Sequence, residues 1–127
     1  MLAQINTRRR KSAFTLVEIM IVVLIIGILL AIAVPNFVRA RETARGKSCI
    51  ANLKQYAAAE DQWAIDNKKT SADTPVIATD LVGPALYIKA SPICPSAGTY
   101  SVGAVGTDPL CSIGANTASS YAPHQLP

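Results

Sequence analysis

The chain begins with a short polar segment and then becomes apolar for 21 residues, from Phe14 to Val34, with Glu18 as the one charged side chain in that run. As a helix rising about 1.5 Å per residue, this run is about 32 Å long. That length matches a bilayer hydrocarbon core of about 30 Å. Because backbone amides in lipid must be satisfied within the segment, the pattern predicts a membrane-spanning helix over residues 14–35.

A second, amphipathic pattern follows. Apolar residues recur at near-helical spacing beyond Pro35 as far as about Lys68, with polar residues between them. Pro35 and Asn36 mark a kink or local break rather than a stop, so residues 36–69 are predicted to form an amphipathic stalk helix. Tyr56 and Trp63 are seven residues apart and share one face, which predicts that they pack in a core.

From Ser71 onward the chain is rich in Pro, Gly, Thr and Ser. Thr79–Val82 predicts a capped helical turn that ends at Gly83 and Pro84. Two strands, 98–105 and 110–113, are predicted to form a hairpin through a turn at residues 106–109. A lone hairpin is marginal and needs packing against a helix. The fold class is therefore α+β, a long N-terminal helix with a small C-terminal hairpin head over residues 70–127.

Charge separates the leader from the remainder of the chain. The sequence has 12 Lys and Arg against 8 Asp and Glu, a formal charge of +4. Residues 1–13 hold four of the cations and none of the anions, so the remainder is formally neutral. We therefore do not interpret the basic balance as a nucleic-acid footprint. The basic block before the apolar run instead predicts a cytoplasmic N-terminus and an external head.

Glu18 is the least expected residue of the apolar run. A carboxylate at the centre of a membrane segment costs about 2–3 kcal/mol, less near an end, and calls for a partner. No Lys or Arg occurs between Phe14 and Arg39. Glu18 therefore either reaches the headgroups or pairs with a cation from another chain or from a newly made N-terminus.

Other N-terminal interpretations leave Glu18 without a role. A plain single-span anchor explains the length and the basic block. A secretory signal peptide cleaved after Ala33, in the sequence Ala31-Ile32-Ala33, would release a small secreted binding protein. A twin-arginine signal is weaker, because the arginines are followed by a polar residue pair rather than an apolar run.

Residues 11–18, Lys-Ser-Ala-Phe-Thr-Leu-Val-Glu, resemble the processing site of type IV prepilins and type II secretion pseudopilins. The resemblance implies that a prepilin peptidase cuts between Ala13 and Phe14 and methylates the new amine of Phe14. It also implies a salt bridge between Glu18 and the Phe14 amine of a neighbouring subunit. The chain departs from the family pattern at Ala13, where the family nearly always has Gly.

The resemblance also implies the fate of the mature chain. Gly27 and Pro35 fall where such proteins often carry residues that weaken the helix. The expected product is a homo-oligomeric helical filament, drawn from single-pass subunits of the inner membrane, with prepilin peptidase and pilus or secretion machinery as partners. A free α-amino group with a pKa of about 7.7–8 is largely cationic at neutral pH. Burying it paired with a carboxylate offsets much of the cost of burying either alone, so the pair favours one register.

Three cysteines lie beyond the span, where disulfides persist if the head is external. We predict a disulfide between Cys94 and Cys111, which closes a loop of roughly 17 residues and contributes about 3 kcal/mol on the chain-entropy model. Cys49 is predicted to be a buried free thiol on the helix. A Cys49–Cys94 disulfide remains the alternative.

The sequence favours a structural protein over an enzyme. His124, the single histidine, lies in a Pro-bounded tail and is predicted to be exposed. No Ser/His/Asp arrangement can be built around it, and the cysteine spacings match no zinc pattern. Asp80 and Asp108 are too isolated to predict a calcium site. We therefore expect no catalytic residue, cofactor or metal.

Overall fold

The computed structural model describes residues 13–114 and 124–127, and its first element is a helix of 51 residues, α1 (Leu16–Asp66). The predicted ends, near residues 14 and 68, agree with the observed ends within two residues. Lys68 ends the helix in the left-handed region, at φ 53°. The amide of Lys69 donates to the Ala64 carbonyl at 2.8 Å, and that of Lys68 donates to the Ile65 carbonyl at 3.3 Å. These are the two hydrogen bonds of a Schellman cap.

The chain divides into two compact units, Met1–Asn36 and Phe37–Pro127. In the first unit, α1 is long and apolar enough to cross a membrane. The large apolar side chains of this unit from Phe14 to Val34 are 47–77% exposed. This surface has no partner within the described part of its own chain.

The second unit combines the C-terminal part of α1 with a two-stranded antiparallel sheet, β1 (Tyr100–Ser101) and β2 (Leu110–Cys111). Tyr100 lies opposite Cys111, and Ser101 lies opposite Leu110. The predicted α+β class is confirmed. The strands are shorter than predicted because the amide of Val105 donates to the Asp73 carbonyl, at 2.9 Å, instead of to the neighbouring strand.

The predicted helical turn at Thr79–Val82 is present but starts earlier, as a π-helical turn over Ile77–Leu81. The carboxylate of Asp80 accepts a hydrogen bond from the Val76 amide at 2.7 Å, which holds the start of the turn. Leu81 is fully buried. The turn therefore serves to deliver one apolar side chain to the core.

Two clusters of buried residues form the core of the second unit. The first joins one face of α1 to Leu81 and consists of Tyr56, Ala59, Trp63, Ala64 and Leu81. The predicted packing of Tyr56 and Trp63 is thus confirmed. The second cluster consists of Cys49, Leu53, Cys94 and Cys111. All three cysteines of the chain meet in this second cluster.

Candidate functional site

The start of α1 places Glu18 in the first turn of the helix. The Glu18 amide donates to Thr15 Oγ1 at 3.2 Å, so Thr15 is the N-cap. Thr15-Leu16-Val17-Glu18 is a capping-box pattern, in which a Glu or Gln at the fourth position supports the cap. A carboxylate here also interacts favourably with the positive end of the helix dipole. The Thr15-x-x-Glu18 spacing is thus a local signal for the start of the helix, and the structure confirms its Thr15 half.

The predicted processing site lies immediately before this cap. Ala13 and Phe14 are exposed and precede the first helical residue. The bond between them is thus in non-helical backbone, the form a peptidase requires. Cleavage, methylation of Phe14 and the Phe14–Glu18 salt bridge stay predictions.

Gly27 and Pro35 both lie inside α1, and the helix continues beyond Pro35 to Asp66. A Cβ placed on Gly27 would meet nothing within 4 Å. No contact among the described residues of this chain therefore requires a glycine there. Their weakening of the helix stays a prediction that the family resemblance supports.

The second unit contains a compact group of thiols and an imidazole, which we call the Cys/His cluster: Cys49, Cys94, Cys111 and His124. One potential ligand atom from each residue lies within 4.8 Å of the other three, and all four residues are buried. Cys111 Sγ is 3.9 Å from Cys94 Sγ. Cys94 Sγ is 3.8 Å from His124 Nδ1. Such a set can bind a soft or borderline divalent cation.

The structure corrects the predicted exposure of His124 and leaves the predicted Cys94–Cys111 disulfide untested. His124 is not an exposed tail residue, since it is only 3% exposed. Its amide donates to the Gly114 carbonyl at 3.3 Å, and this bridge brings the histidine back to the cluster. Cys49 is buried, as predicted, and is a thiol in this structure. Cys94 and Cys111 are also thiols in this structure, and their disulfide stays a prediction.

The linear spacing hides the Cys/His cluster, because its members come from α1, two separate later segments and the C-terminal end. One signal was available in the composition. Three cysteines and one histidine are the ligand count of a Cys₃His site, which occurs among structural zinc sites. Only the fold shows that these four residues meet.

The cysteines of the cluster differ in the direction of their pKa shifts. Burial raises the pKa of Cys49, and a hydrogen bond with Tyr100 opposes that shift only in part. Burial acts on Cys94 in the same direction, but hydrogen bonds with the backbone of Ser96 and Gly98 and with the other two cysteines together outweigh it and lower the pKa of Cys94 below its ordinary value. The surroundings of these two cysteines thus shift their pKa values in opposite directions.

Glu60 is a second buried ionisable group, 2% exposed, on the same unit. Its Oε1 accepts a hydrogen bond from the Gly106 amide at 3.1 Å. Its Oε2 has no hydrogen-bond partner among the residues that the structure describes. Burial raises the pKa of Glu60, the Gly106 amide lowers it, and the nearby charges of Asp61 and Asp108 raise it further.

The capped apolar helix, the non-helical segment before it and the small α+β unit define the pilin-like class of membrane-anchored proteins. Residues 8–34 match the family described as the prokaryotic N-terminal methylation motif. The chain is 32% identical over 93 residues to the type IV wide pilus major component PilA4 of Thermus thermophilus, covering 72% of this chain and 71% of that protein. The chain belongs to the family of type IV pilins and type II secretion pseudopilins.

Other relatives match over shorter stretches of the chain. The chain is 43% identical over 60 residues to the type II secretion system core protein G of Pseudomonas aeruginosa, covering 47% of this chain and 42% of that protein. It is 40% identical over 62 residues to the type IV major pilin protein PilA of Myxococcus xanthus, covering 49% of this chain and 28% of that protein. The match thus spans less than half the length of either relative. No solved structure matches the chain significantly.

Proposed function

We propose that the chain is a structural subunit of a type IV pilus-like or type II secretion pseudopilus filament. The observation that carries this proposal is the exposed apolar surface of α1 between Leu16 and Val34, interrupted by a single carboxylate. Water is a poor environment for this surface, which needs either lipid or the equivalent helices of other subunits. A filament built on its N-terminal helices supplies the second environment.

Storage in the inner membrane precedes assembly in this proposal. The basic leader, residues 1–13, holds the N-terminus in the cytoplasm, and the second unit lies outside. Prepilin peptidase then cuts between Ala13 and Phe14 and methylates the Phe14 amine. Removing the leader takes away the four cations that hold the helix in this orientation. The subunit can then leave the bilayer for the filament.

Glu18 gives assembly its register. After cleavage it lies four residues from the new N-terminus, near the depth at which a neighbouring Phe14 amine can meet it. A buried ion pair contributes little net stability, but removing one partner costs about 3–5 kcal/mol because it leaves the other charge unpaired. Subunits out of register are disfavoured by that cost.

Pilus or secretion machinery completes the proposed set of partners. The relatives support both alternatives, since their names refer to type IV pili and to a type II secretion system. The common part of both proposals is polymerisation of this chain through α1.

The mature N-terminus tests the proposal. We expect intact-mass and terminal-peptide analysis of the chain from its native membrane to give Phe14 as the first residue, N-methylated. The same chain expressed without prepilin peptidase should keep its leader. A mature chain that starts at Val34 would identify a signal peptide and a secreted small binding protein. A chain that keeps Met1 or Leu2 in the presence of the peptidase would identify a plain anchor.

A further inference from the structure

The Cys/His cluster has the dimensions of a tetrahedral metal site. At Zn–S and Zn–N bond lengths of about 2.3 and 2.0 Å, tetrahedral angles place two sulfurs about 3.8 Å apart and a sulfur and a nitrogen about 3.5 Å apart. The observed separations are 3.9 Å between Cys94 Sγ and Cys111 Sγ and 3.8 Å between Cys94 Sγ and His124 Nδ1. All four potential ligand atoms lie within 4.8 Å of one another. Small side-chain adjustments would close this set around one ion.

Hydrogen-bonding groups of the fold surround two of the sulfurs. Hydrogen bonds with the backbone of Ser96 and Gly98 reach Cys94, and a hydrogen bond with the Tyr100 side chain reaches Cys49. Asn52 Nδ2 donates to Tyr100 Oη at 2.9 Å, which leaves the Tyr100 hydroxyl hydrogen available for the sulfur. Such outer contacts orient metal ligands and tune their basicity.

Gly98 shows how closely the backbone approaches the sulfurs. A Cβ at this position would lie 2.6 Å from Cys111 Sγ, well inside van der Waals contact. Gly98 therefore lets the loop that follows Cys94 fold over the cluster. The result is a group of ligands closed off by protein rather than open to solvent.

We infer that Cys49, Cys94, Cys111 and His124 form a structural site for one tetrahedral divalent cation, with Zn²⁺ as the occupant. Three thiolates with one imidazole suit zinc better than the oxygen-preferring Mg²⁺ or Ca²⁺. Four protein ligands leave no coordination position for substrate, so the site is structural. On binding, each of the three thiols loses its proton to solvent and four coordinate bonds form to the ion.

The ion would join four segments of the second unit. Cys49 lies on α1, Cys94 in the loop before β1, Cys111 on β2 and His124 in the C-terminal segment. The β1–β2 sheet has only two residues in each strand. Small domains with limited cores are commonly stabilised by a disulfide or a metal. Here the metal would connect the sheet and the C-terminal end to the helix.

A Cys94–Cys111 disulfide is incompatible with this site, because it consumes two of the four ligands. A disulfide requires the sulfurs at about 2.05 Å, far closer than their separation here. It would also leave Cys49 and His124 buried without a shared partner. The two states therefore differ at Cys49. It binds the ion in the metal-bound state and makes no bond in the disulfide state.

Metal content of the full chain tests the inference. The chain, without a histidine tag, is purified in detergent micelles with no reductant and no added metal. Mass spectrometry of the intact chain and elemental analysis should give one zinc per chain and three thiols that react only after chelation. Co²⁺ in place of Zn²⁺ should give thiolate charge-transfer absorption and the strong visible bands of tetrahedral coordination.

Two ligand variants distinguish binding from folding. Cys49→Ala and His124→Asn should each weaken zinc binding by more than about a hundredfold, beyond the loss expected for an outer-shell contact. In the absence of metal, both variants should melt within a few degrees of the metal-free wild type, by fluorescence of the single tryptophan. Added zinc should raise the melting temperature of the wild type alone.

Three outcomes would overturn the inference. The first is a Cys94–Cys111 disulfide in the purified chain together with no Co²⁺ spectrum after reduction. The second is a reduced chain that binds no zinc. The third is zinc binding that is unchanged in both Cys49→Ala and His124→Asn.

Discussion

Glu18 combines two roles that a single substitution to alanine would confuse. Its position in Thr15-x-x-Glu18 matches a capping-box pattern, of which the structure shows the bond from the Glu18 amide to Thr15 Oγ1, and its charge is the proposed partner of a neighbouring Phe14 amine. Glutamine serves the capping box as well as glutamate does but carries no charge. The pair Glu18→Gln and Glu18→Ala therefore separates local helix capping from assembly.

We expect both Glu18 variants to be processed normally and to assemble poorly, because each leaves the Phe14 amine unpaired. Filaments sheared from cells and quantified by immunoblot should fall about tenfold or more, a free-energy change of at least about 1.4 kcal/mol. Thr15→Ala is the matched control. It removes the cap at a cost of about 1 kcal/mol but keeps the charge, and should assemble. Normal filament yield from Glu18→Gln would assign Glu18 to capping alone.

Glu60 carries a pH dependence that the direction of its pKa shift defines. Burial raises its pKa in the folded state above the ordinary value of 4.5. Above pH 4.5 the folded state therefore binds more protons than the unfolded state, and the free energy of unfolding falls as the pH rises towards the folded pKa. The contribution of a protonated Glu60 is fully present below pH 4.5 and is lost once the buried carboxyl ionises.

Glu60→Gln should remove this component of the pH dependence. The difference between the melting temperatures of wild type and variant should become less favourable to the wild type as the pH rises above about 4.5. Tryptophan fluorescence in detergent micelles measures the two melting temperatures at each pH. Asp66→Asn makes the same charge change at an exposed position of the same helix, away from the groups that shift the pKa of Glu60, and should shift the curve little. Parallel curves for wild type and Glu60→Gln would show that Glu60 has an ordinary pKa.

At the scale of elements, α1 owes its two ends to different causes. A side-chain cap starts it at Thr15, and a left-handed Lys68 ends it with a Schellman pair of hydrogen bonds. Both ends follow from local interactions, which is why the hydrophobic pattern along the chain predicts the helix bounds closely. Gly27 and Pro35 lie between these ends and reduce the intrinsic preference for helix without ending it.

Gly27→Ala tests whether that reduced preference serves assembly. Alanine should stabilise the helix by about 1 kcal/mol, and no described residue of the chain lies where the new Cβ would be. We expect higher helicity by circular dichroism in micelles and fewer sheared filaments. Ala31→Gly is the opposite control, with lower helicity expected. Unchanged filament yield from Gly27→Ala would show that the glycine is not required for assembly.

For the whole molecule, the stability of the second unit depends on a small number of side chains. Leu53 is fully buried beside the Cys/His cluster. Ile65, on the same helix, is 76% exposed. Equal truncations at these two positions therefore separate core packing from helix propensity.

Leu53→Ala should lower the free energy of unfolding of the second unit by about 2–5 kcal/mol, since it removes buried contacts and leaves a cavity. Ile65→Ala should change it by about 0.5 kcal/mol or less. Denaturant titration of the chain in micelles, followed by the fluorescence of Trp63, measures both. Equal effects of the two truncations would contradict the core assigned to Leu53.

Local sequence signals were sufficient to predict the long helix, the fold class and the family of this protein. The apolar run, the amphipathic periodicity and the motif around Phe14 predict the helix, the α+β class and the family, because each depends on residues close in the chain. The strand lengths were overestimated because Val105 bonds to the distant Asp73 carbonyl rather than to a neighbouring strand. The prediction placed the start of the turn too late, at Thr79 instead of Ile77. The Asp80 carboxylate stabilises the start by accepting a hydrogen bond from the Val76 amide, which lies before the predicted segment.

Only the tertiary structure decided which distant residues meet. His124 is buried beside three cysteines, and Glu60 is buried with one oxygen that has no hydrogen-bond partner among the described residues. Neither follows from spacing, since each contact joins segments separated by tens of residues. Hydrophobic periodicity specifies which face of an element is buried, but not which polar group from elsewhere in the chain is buried with it.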